Sequence, residues 1–476
     1  MRGLDTQGLN FKDISFINTI QSMAVIGVSK KRNFFFLKNH QENFKGTLFA
    51  VHPKIKEIPN FPKENIYASI KDIPGKVDFA FIEVPANQVL AVVNDCIEKE
   101  VKLVSIFSSE FSDSGTEEGI KLEKDLIESA KNKIRILGPN GMGLFYPKLG
   151  IAWRSKFPSI AGNIGFIAQS GGICNIAIYT AKEIGMNFSK VFSFGNGVDL
   201  DFVDLLFYLS NDPETDMILC YIEGIKEDRA KDLRKVLSQN KKPIVVLKGG
   251  KTRRGKFAAK THTASISGNN KVWKTIFKQY NIIEVDSLEQ LLNMGRLIDF
   301  YGVQDLDKIA VFSISGGYGV VLVDLIENAG MEIPDFSPHV QKELENKFFV
   351  RGTSSKNPLD VAAQLMFSES IKEILDIALS DDQINALIMD FPSWYFSYEF
   401  FINPDDNFEE NIIEALALGH KHSKPLIPII QRANCPEENT RISRILAEKK
   451  VPVFGDPLEF MPLLPKISNY KKKLKN

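Results

Sequence analysis

The chain has 476 residues, of which 44% are hydrophobic and 25% charged, and its 59 basic and 59 acidic residues balance to a net charge of zero. This length predicts about three domains, and the neutral balance argues against nucleic acid or an anionic membrane as a partner. Neither a secretory signal nor an apolar run of about 18 residues is found, so we do not expect a membrane span. We expect a cytoplasmic location instead. The cysteines form no C-x-x-C pair, which argues against a zinc ribbon or a dithiol redox site.

Residues 20–145 alternate short apolar runs with amphipathic segments. The strand-like runs are "SMAVIGVS", "TLFAVHP", "VDFAFIEVP", "VKLVSIFSS" and "KIRILGPN". Helical segments such as "ANQVLAVVNDCIEKE" lie between them. This alternation predicts a parallel, doubly wound α/β sheet, in which ligands bind beyond the carboxyl ends of the strands.

The same layout restarts at "IGFIAQSGG" and again at "IAVFSISGG", each followed by a helical segment. We therefore predict an α/β chain of three doubly wound domains, with boundaries at residues 1–148, 149–299 and 300–476. The aromatic stretch near residues 392–408 has two interpretations at this stage. It is either a lid or partner surface, or a loop that covers the core.

The first strand–turn segment, "AVIGVSKK", places Gly27 at a strand end, followed by Ser29 and Lys30. A glycine there lets the backbone approach a phosphate, and the next helix offers the N–H groups of its first turn. The G-x-G-x-x-G fingerprint is incomplete, which makes an NAD-dependent dehydrogenase a weak hypothesis. A simple βα turn and a polyanion site both remain open.

Two further strand ends carry proline. "VDFAFIEVP" ends at Val84 and Pro85, and "ILGPNGMG" contains Pro139 and Asn140. Because proline fixes φ and removes a donor, such turns suit walls that hold an adenine or a pantetheine arm. Each turn alone is commonplace at the end of a strand.

The segment "QSGG" follows a strand and opens a helix. The Ser170 hydroxyl and the backbone amides of Gly171 and Gly172 could hold a phosphoryl group at the positive end of that helix. "SISGG", residues 313–317, could do the same in the third domain. A P-loop motif is absent, which argues against that kind of nucleotide site.

The segments "YIEG" and "KTHTASISG" hold the candidates for chemistry, Glu223 and His262. Glu223 could orient an imidazole and fix its tautomer, or it could be a strand-end carboxylate that faces water. His262 has no histidine at metal-binding spacing and no G-x-S-x-G elbow nearby. It is either a nucleophile on a Ser/Thr/Gly loop or an ordinary polar residue.

The order and spacing of these motifs resemble the NDP-forming acyl-CoA synthetases. The resemblance covers about residues 20 to 465 and is to the α subunits of ADP-forming acetyl-CoA synthetases, relatives of succinyl-CoA synthetase. It is carried by "SMAVIGVS", "VHPK", "VDFAFIEVP", "ILGPNGMG", "GFIAQSGG", "FSFGNGVDLD", "YIEGI", "LKGGKTRRGKFAAKTHTASISG" and "NPLD". It implies a Rossmann-like CoA-binding domain followed by two flavodoxin-like domains.

By this resemblance the chain is an acid–thiol ligase that interconverts acyl-CoA, ADP and phosphate with carboxylate, ATP and CoA. The reaction passes through an acyl phosphate and a phosphohistidine at His262, which Glu223 supports. Ser170, Gly171 and Gly172 form the phosphate cradle, and the chain needs no metal of its own. The resemblance assigns coenzyme A to Gly27, Ser29, Lys30, Lys54, Val84, Pro85 and Asn140.

The sequence contains no ATP-grasp segment, so the resemblance implies a separate β subunit that binds ADP or ATP with Mg²⁺. Activity is expected only with that subunit, in an α₂β₂ assembly. The alternative is a catalytically inactive CoA-binding regulatory or scaffold protein of the same fold. The complete set of Glu223, His262 and Ser170 favours the enzyme.

Overall fold

The computed structural model describes residues 11–263, 269–397, 407–431 and 435–475, and the side chains of residues 259–263 are also outside the described part. The chain forms two compact units. Residues 1–182 and 187–288 belong to the first, and residues 183–186 and 289–476 to the second.

The first unit opens with a parallel sheet in the order β3-β2-β1-β4-β5-β6. Its strands are β1 (Ser22–Ile26), β2 (Thr47–Val51), β3 (Ile66–Tyr67), β4 (Phe79–Ile82), β5 (Leu103–Ile106) and β6 (Arg135–Leu137). The helices among them are α1 (Phe35–Asn43), α2 (Ala86–Glu98) and α3 (Glu117–Ala130). This is the Rossmann strand order, and it places the topological switch point between β1 and β4.

Strand β4 shows why these runs are apolar throughout. Ala80 and Ile82 belong to the core that packs against α2 and α3. On the other face, the rings of Phe81 and Phe36 of α1 lie 4.8 Å apart. A strand covered by helices on both faces is buried on both, so it reads as a continuous hydrophobic run.

A second sheet in the same unit has the order β12-β11-β10-β8-β9-β7. Its strands are β7 (Gly143–Phe145), β8 (Ile164–Ala168), β9 (Phe188–Ser193), β10 (Met217–Ile222), β11 (Ile244–Lys248) and β12 (Ile283–Val285). Its helices are α4 (Gly171–Glu183), α5 (Phe202–Asn211), α6 (Ala230–Gln239), α7 (Arg253–Thr263) and α8 (Asn270–Gln279). The order is flavodoxin-like with one added edge strand, β7, which runs antiparallel to β9.

A cation–π contact and ion pairs hold β7 and the end of the first sheet against the second sheet. The ammonium of Lys190, which is fully buried on β9, lies 2.8 Å from an Asp212 oxygen and 4.4 Å from the ring centre of Tyr146, just after β7. Arg135 of β6 pairs with Asp199 at 3.0 Å. The chain between β6 and β7 is therefore anchored at both ends.

The second unit is built on a parallel sheet in the order β14-β13-β15-β16, again flavodoxin-like. Its strands are β13 (Ile309–Ser313), β14 (Leu359–Asp360), β15 (Ala386–Asp390) and β16 (Leu426–Ile429). The helices that follow α8 are α9 (Leu288–Tyr301), α10 (Gly316–Asn328), α11 (Pro338–Lys347), α12 (Ser368–Ser380), α13 (Phe408–Leu416), α14 (Leu418–Lys421), α15 (Pro436–Glu448) and α16 (Leu464–Leu474). The prediction of repeated, doubly wound α/β sheets is confirmed.

The aromatic segment near residues 392–408 falls partly outside the described residues, which here omit 398–406. Its described ends are buried: the rings of Phe391 and Phe396 lie 4.8 Å apart, and Phe408 packs in the same core. These ends support a core-covering role. Among the described helices, none is long and apolar enough to cross a membrane.

Candidate functional site

A cavity of about 490 Å³ opens in the first unit, at the carboxyl ends of strands from both of its sheets. The first sheet supplies residues 83–86 after β4, 107–110 after β5 and 140–142 after β6. The second sheet supplies residues 169–172 after β8. Ligands of open α/β sheets bind at this edge, beside the switch point.

The cavity brings together residues that are distant in sequence, from Arg32 to Gly195. Six predicted site residues line it: Val84, Pro85, Asn140, Ser170, Gly171 and Gly172. Three of the seven predicted CoA residues, Val84, Pro85 and Asn140, therefore share one space with the predicted phosphate cradle. Among its described lining, Gly27, Ser29, Lys30, Lys54 and Glu223 are not found.

Gly27 nevertheless adjoins the cavity wall. Its φ is +93°, and a Cβ atom there would lie 2.7 Å from Cγ1 of Val84. Only glycine lets the end of β1 approach β4 this closely. The following 3-10 turn, Lys30–Arg32, begins after Ser29 and carries Arg32 to the cavity, whereas Lys54 is exposed after β2.

The turn at Asn140 is fixed by both sheets. Its backbone N–H donates to the Ser108 carbonyl at 2.9 Å, and the Met142 N–H donates to Oγ of Ser193 at 3.0 Å. Asn140 has a φ of +58°, in the left-handed region where asparagine is enriched among non-glycine residues. The Asn140 side chain is thus presented to the cavity from a rigid turn.

The start of α4 has the geometry of a helix N-terminus that is open to the cavity. Ser170 caps the helix, because its Oγ accepts a hydrogen bond from the Ile173 N–H at 3.4 Å. A Cβ on Gly172 would meet only Oγ of Ser170 within 4 Å, at 3.7 Å, so the space in front of this turn is open. The first N–H groups of a helix have no partner within it, and the helix dipole favours an anion there.

Glu223 follows β10, the neighbour of β8, and only 5% of it is exposed. Its N–H donates to Oε1 of Gln169 at 2.9 Å, and the Tyr221 hydroxyl donates to Oε1 of Glu223 at 2.9 Å. Burial, together with Glu223, raises the pKa of the Tyr221 phenol and keeps it a donor. The alternative of a carboxylate that faces water is therefore wrong, because Glu223 is buried directly behind the cavity residue Gln169.

The backbone of His262 lies in the last turn of α7, so this position is helical and not part of an extended loop. Its side chain and residues 264–268 lie outside the described residues. Helix α7 lies against the turn Ser112–Ser114. A second cavity, of about 440 Å³, is lined by Ser112, Gln169 and Gly224 among others, so Gln169 separates it from the first.

The sequence reasoning missed two groups that line the first cavity. One is Glu83, which directly precedes the predicted Val84. The other is the polar run Ser108–Glu110 after β5. The available signal was the same in both cases: a polar or charged residue directly follows a buried parallel strand, at the edge where ligands bind.

Comparison with known proteins defines the class of each domain in the first unit. Residues 21–147 match the family described as a CoA binding domain. Residues 161–298 match the family described as a succinyl-CoA ligase like flavodoxin domain. The predicted pairing of a CoA-binding domain with a flavodoxin-like domain is confirmed.

Similar proteins cover nearly the whole chain. The α subunit of acetate–CoA ligase (ADP-forming) I of Pyrococcus furiosus is 32% identical over 468 residues, which are 96% of this chain and 98% of that protein. The α subunit of enzyme II from the same organism is 34% identical and covers 77% of this chain and 80% of its own length. The chain belongs to the family of ADP-forming acetate–CoA ligases and their α subunits, which confirms the resemblance found in the sequence.

Two further similar proteins are a longer relative and a solved structure. Acetate–CoA ligase (ADP-forming) I of Archaeoglobus fulgidus is 34% identical, and the chain spans about half of it, 53%. Among solved structures, a dinucleotide-forming acetyl-coenzyme A synthetase 1 of Ca. Korarchaeum cryptofilum, in complex with phosphate and ADP, superposes with a TM-score of 0.81. It is 26% identical, with 97% of each chain covered.

Proposed function

We propose that this chain is the α subunit of an ADP-forming acyl-CoA synthetase. It would interconvert acyl-CoA, ADP and phosphate with carboxylate, ATP and CoA. One observation carries the proposal: a single cavity joins the wall of Val84, Pro85 and Asn140 to the helix start of Ser170–Gly172. A thioester held by the first group and a phosphate held by the second would meet there. The names of the P. furiosus relatives support this activity.

The proposed chemistry has two group transfers in this chain. A phosphate oxygen attacks the thioester carbon, the C–S bond breaks, and CoA leaves as the thiolate and takes up a proton. The imidazole of His262 then attacks phosphorus, the P–O bond to the acyl group breaks, and the carboxylate leaves. The amides of Gly171 and Gly172 would stabilise the phosphoryl charge in both steps, because they are fixed before the reaction begins.

Glu223 would orient the histidine. The Tyr221 hydroxyl and the Gln169 side chain fix Glu223 from two sides. A fixed carboxylate can accept the N–H of an imidazole and so hold the other nitrogen ready for phosphorus. Its place behind the cavity residue Gln169 supports this role for Glu223.

Coenzyme A would lie along the switch point of the first sheet. We assign its phosphates to the turn of Gly27, Ser29 and Lys30 and to Lys54, and its pantetheine arm to the wall of Val84, Pro85 and Asn140. The close approach of β1 to β4 at Gly27 supports a backbone site for phosphate. The cationic side chains would add attraction for the anion.

The nucleotide would bind to a partner. We propose a β subunit with an ATP-grasp domain that holds ADP or ATP with Mg²⁺, in an α₂β₂ assembly in the cytoplasm. Two relatives are named as α subunits, which supports a division of the reaction between two polypeptides.

Phosphorylation of the chain tests the proposal. The full chain is mixed with an ATP-grasp β subunit, Mg²⁺ and ATP labelled in the γ-phosphate, and acid-labile, base-stable label is measured on the α chain. Label is expected on the wild type and on His339→Ala, a matched control at an exposed histidine. Its presence in His262→Ala would exclude a phosphohistidine at that position.

The inactive scaffold is the second candidate, and labelling of the wild type separates it from the enzyme. In the enzyme, Glu223→Gln is expected to slow phosphorylation of His262 by about tenfold or more and to leave CoA binding unchanged. A scaffold binds CoA, yet it acquires no label in any variant. Equal labelling rates in the wild type and Glu223→Gln would show that Glu223 does not assist the histidine.

A further inference from the structure

One carboxyl group in the first cavity has no role in the reaction described above. Glu83 follows β4 directly, and its backbone N–H donates to the Ile26 carbonyl of β1 at 2.9 Å. Its side chain is 1% exposed and lines the cavity. Within the described part of the chain, neither of its carboxyl oxygens has a hydrogen-bond partner.

A buried carboxylate without donors is costly, because it loses water and gains nothing in return. The neighbouring cation compensates only partly: Nη1 of Arg32 lies 3.8 Å away, beyond hydrogen-bond distance, and the Arg32 side chain is 57% exposed. The nearby Ser108 hydroxyl donates to the Val84 carbonyl instead. Burial raises the pKa of Glu83 to about 7, and Arg32 opposes that shift. The free protein therefore keeps an unsatisfied acceptor at its cavity wall.

The two charged side chains at this wall favour different groups of an anionic ligand. The guanidinium of Arg32 attracts a phosphate group, whereas the Glu83 carboxylate repels one and favours a neutral O–H or N–H. Coenzyme A, the ligand of the proposed function, carries such donors on both sides of its diphosphate. A ribose hydroxyl lies on the nucleotide side, and a hydroxyl and two amides lie on the pantetheine side.

We propose that Glu83 is a specificity-determining residue for coenzyme A, whose carboxyl group accepts a hydrogen bond from a neutral donor of the ligand next to a phosphate held by Arg32. This inference rests on the proposed function. It predicts an unusual pair of effects, because the group that the ligand needs is one that destabilises the empty site. A residue with a purely structural role would not show that pair.

Binding of CoA to the full chain, measured by isothermal titration calorimetry, tests the inference. Glu83→Leu removes the acceptor at similar volume, so the affinity for CoA is expected to fall about tenfold or more, while the thermal midpoint of the free protein rises. Glu83→Gln keeps an acceptor oxygen and is expected to bind CoA within about threefold of the wild type. Glu118→Gln, at an exposed carboxylate of the same domain, is the control and is expected to change neither.

Two fragments locate the donor. Titrations with 3′,5′-ADP and with 4′-phosphopantetheine are repeated on the wild type and on Glu83→Leu. If the ribose hydroxyl is the donor, only 3′,5′-ADP loses affinity; if the donor lies on the pantetheine side, only phosphopantetheine does. Either result supports the inference.

Three outcomes would count against it. Equal CoA affinity in the wild type and Glu83→Leu overturns the inference but leaves the proposed function intact. A lower thermal midpoint together with weaker binding in Glu83→Leu also overturns it, because Glu83 would then be structural. A wild-type chain that binds no CoA, with or without the β subunit, overturns the proposed function and the inference with it.

Discussion

The chain builds the same turn twice, after β8 in the first unit and after β13 in the second. Each turn has a serine that caps a helix, followed by two glycines. Oγ of Ser170 accepts from the Ile173 N–H at 3.4 Å, and Oγ of Ser315 accepts from the Tyr318 N–H at 3.5 Å. Local sequence and backbone geometry therefore give both turns the same capacity to bind a phosphate.

The neighbouring strand ends make the two turns different. A Cβ on Gly171 would lie 3.5 Å from the Ser193 hydroxyl at the end of β9. A Cβ on Gly316 would lie 2.6 Å from a carboxylate oxygen of Asp360 at the end of β14. The first turn is thus bordered by neutral groups, the Met142 side chain and the Ser193 hydroxyl, at the position where the second is bordered by a negative charge.

A second carboxylate strengthens the contrast. Asp390, at the end of β15, is 2% exposed and accepts from Nε2 of Gln431 at 3.3 Å. Burial raises the pKa of Asp390 to about 7, and burial with Asp390 raises the pKa of Tyr318 in the turn itself. A glycine-rich turn determines where the helix begins, but side chains at the ends of the adjacent strands determine the charge around that turn. We expect the turn after β8 to be the stronger phosphate site.

The largest expected effect comes from filling the two turns. Gly172→Val and Gly317→Val each add a side chain to open space, since a Cβ on Gly317 meets nothing within 4 Å. Gly172→Val is expected to slow phosphorylation of His262 by about 100-fold or more, because it bars phosphate from the helix start. Gly317→Val serves as the matched control and is expected to change the rate less than about twofold. Equal losses in both variants would contradict the difference between the turns.

Charge can be tested without changing shape. Gln169→Glu keeps the acceptor for the Glu223 N–H and gives the first turn a carboxylate, as the second already has. The new carboxylate and a phosphate about 5 Å apart, at an effective dielectric of about 20, repel by about 3 kcal/mol, so phosphorylation is expected to slow on the order of 100-fold. Gln169→Met, which loses the hydrogen bond and adds no charge, should slow it less. If the neutral variant is slowed as much, charge is not the cause.

The sequence predicted much of this fold because buried parallel strands are apolar on both faces and end in recognisable turns. "VDFAFIEVP" marked β4, and "IGFIAQSGG" marked β8 and the start of α4, each close to its observed position. Strand β7 was not predicted as part of the second sheet. Its pairing with β9 is accompanied by contacts between distant residues, such as that between Lys190 and the Tyr146 ring, which no local pattern reveals.

The residues of the candidate site were predictable where the local sequence of their turn determines their position. Ser170, Gly171 and Gly172 line the cavity because they begin a helix after β8. Glu83 was missed, since its burial depends on how α1 and the Arg32 turn cover β4. The charge around "SISGG" was missed for the same reason: Asp360 and Asp390 reach that turn from strands that are distant in sequence.

The buried charge of the second unit predicts a pH-dependent stability. The folded pKa of Asp390, about 7, exceeds its ordinary value of 3.8, so the folded protein holds the proton more tightly. Stability is therefore lost as pH rises from about 4 to 7, and the penalty is complete above that range. Asp390→Asn removes it and is expected to raise the free energy of unfolding by up to about 4 kcal/mol at pH 8 and by about 1 kcal/mol at pH 4.5.

Urea denaturation of the full chain at the two pH values measures this change. Asp324→Asn, at an exposed carboxylate of α10, is the control, and its effect on the free energy of unfolding should be the same at both pH values. A gain from Asp390→Asn that does not depend on pH would mean that a lost hydrogen bond or changed packing, and not the buried charge, sets the stability.

The smallest expected effects distinguish helix capping, which both serines provide, from phosphate contact, which we expect only of Ser170. Ser170→Ala and Ser315→Ala each remove a helix cap, and each is expected to lower the free energy of unfolding by about 1 kcal/mol. Only Ser170 lines the first cavity, so only Ser170→Ala is expected to slow phosphorylation of His262, by about threefold to tenfold. Urea denaturation and the labelling rate, measured on the same preparations, give both quantities. If both variants lose stability and labelling in parallel, the serines act only as caps; if labelling falls in Ser170→Ala alone at equal stability, its hydroxyl contacts the phosphate.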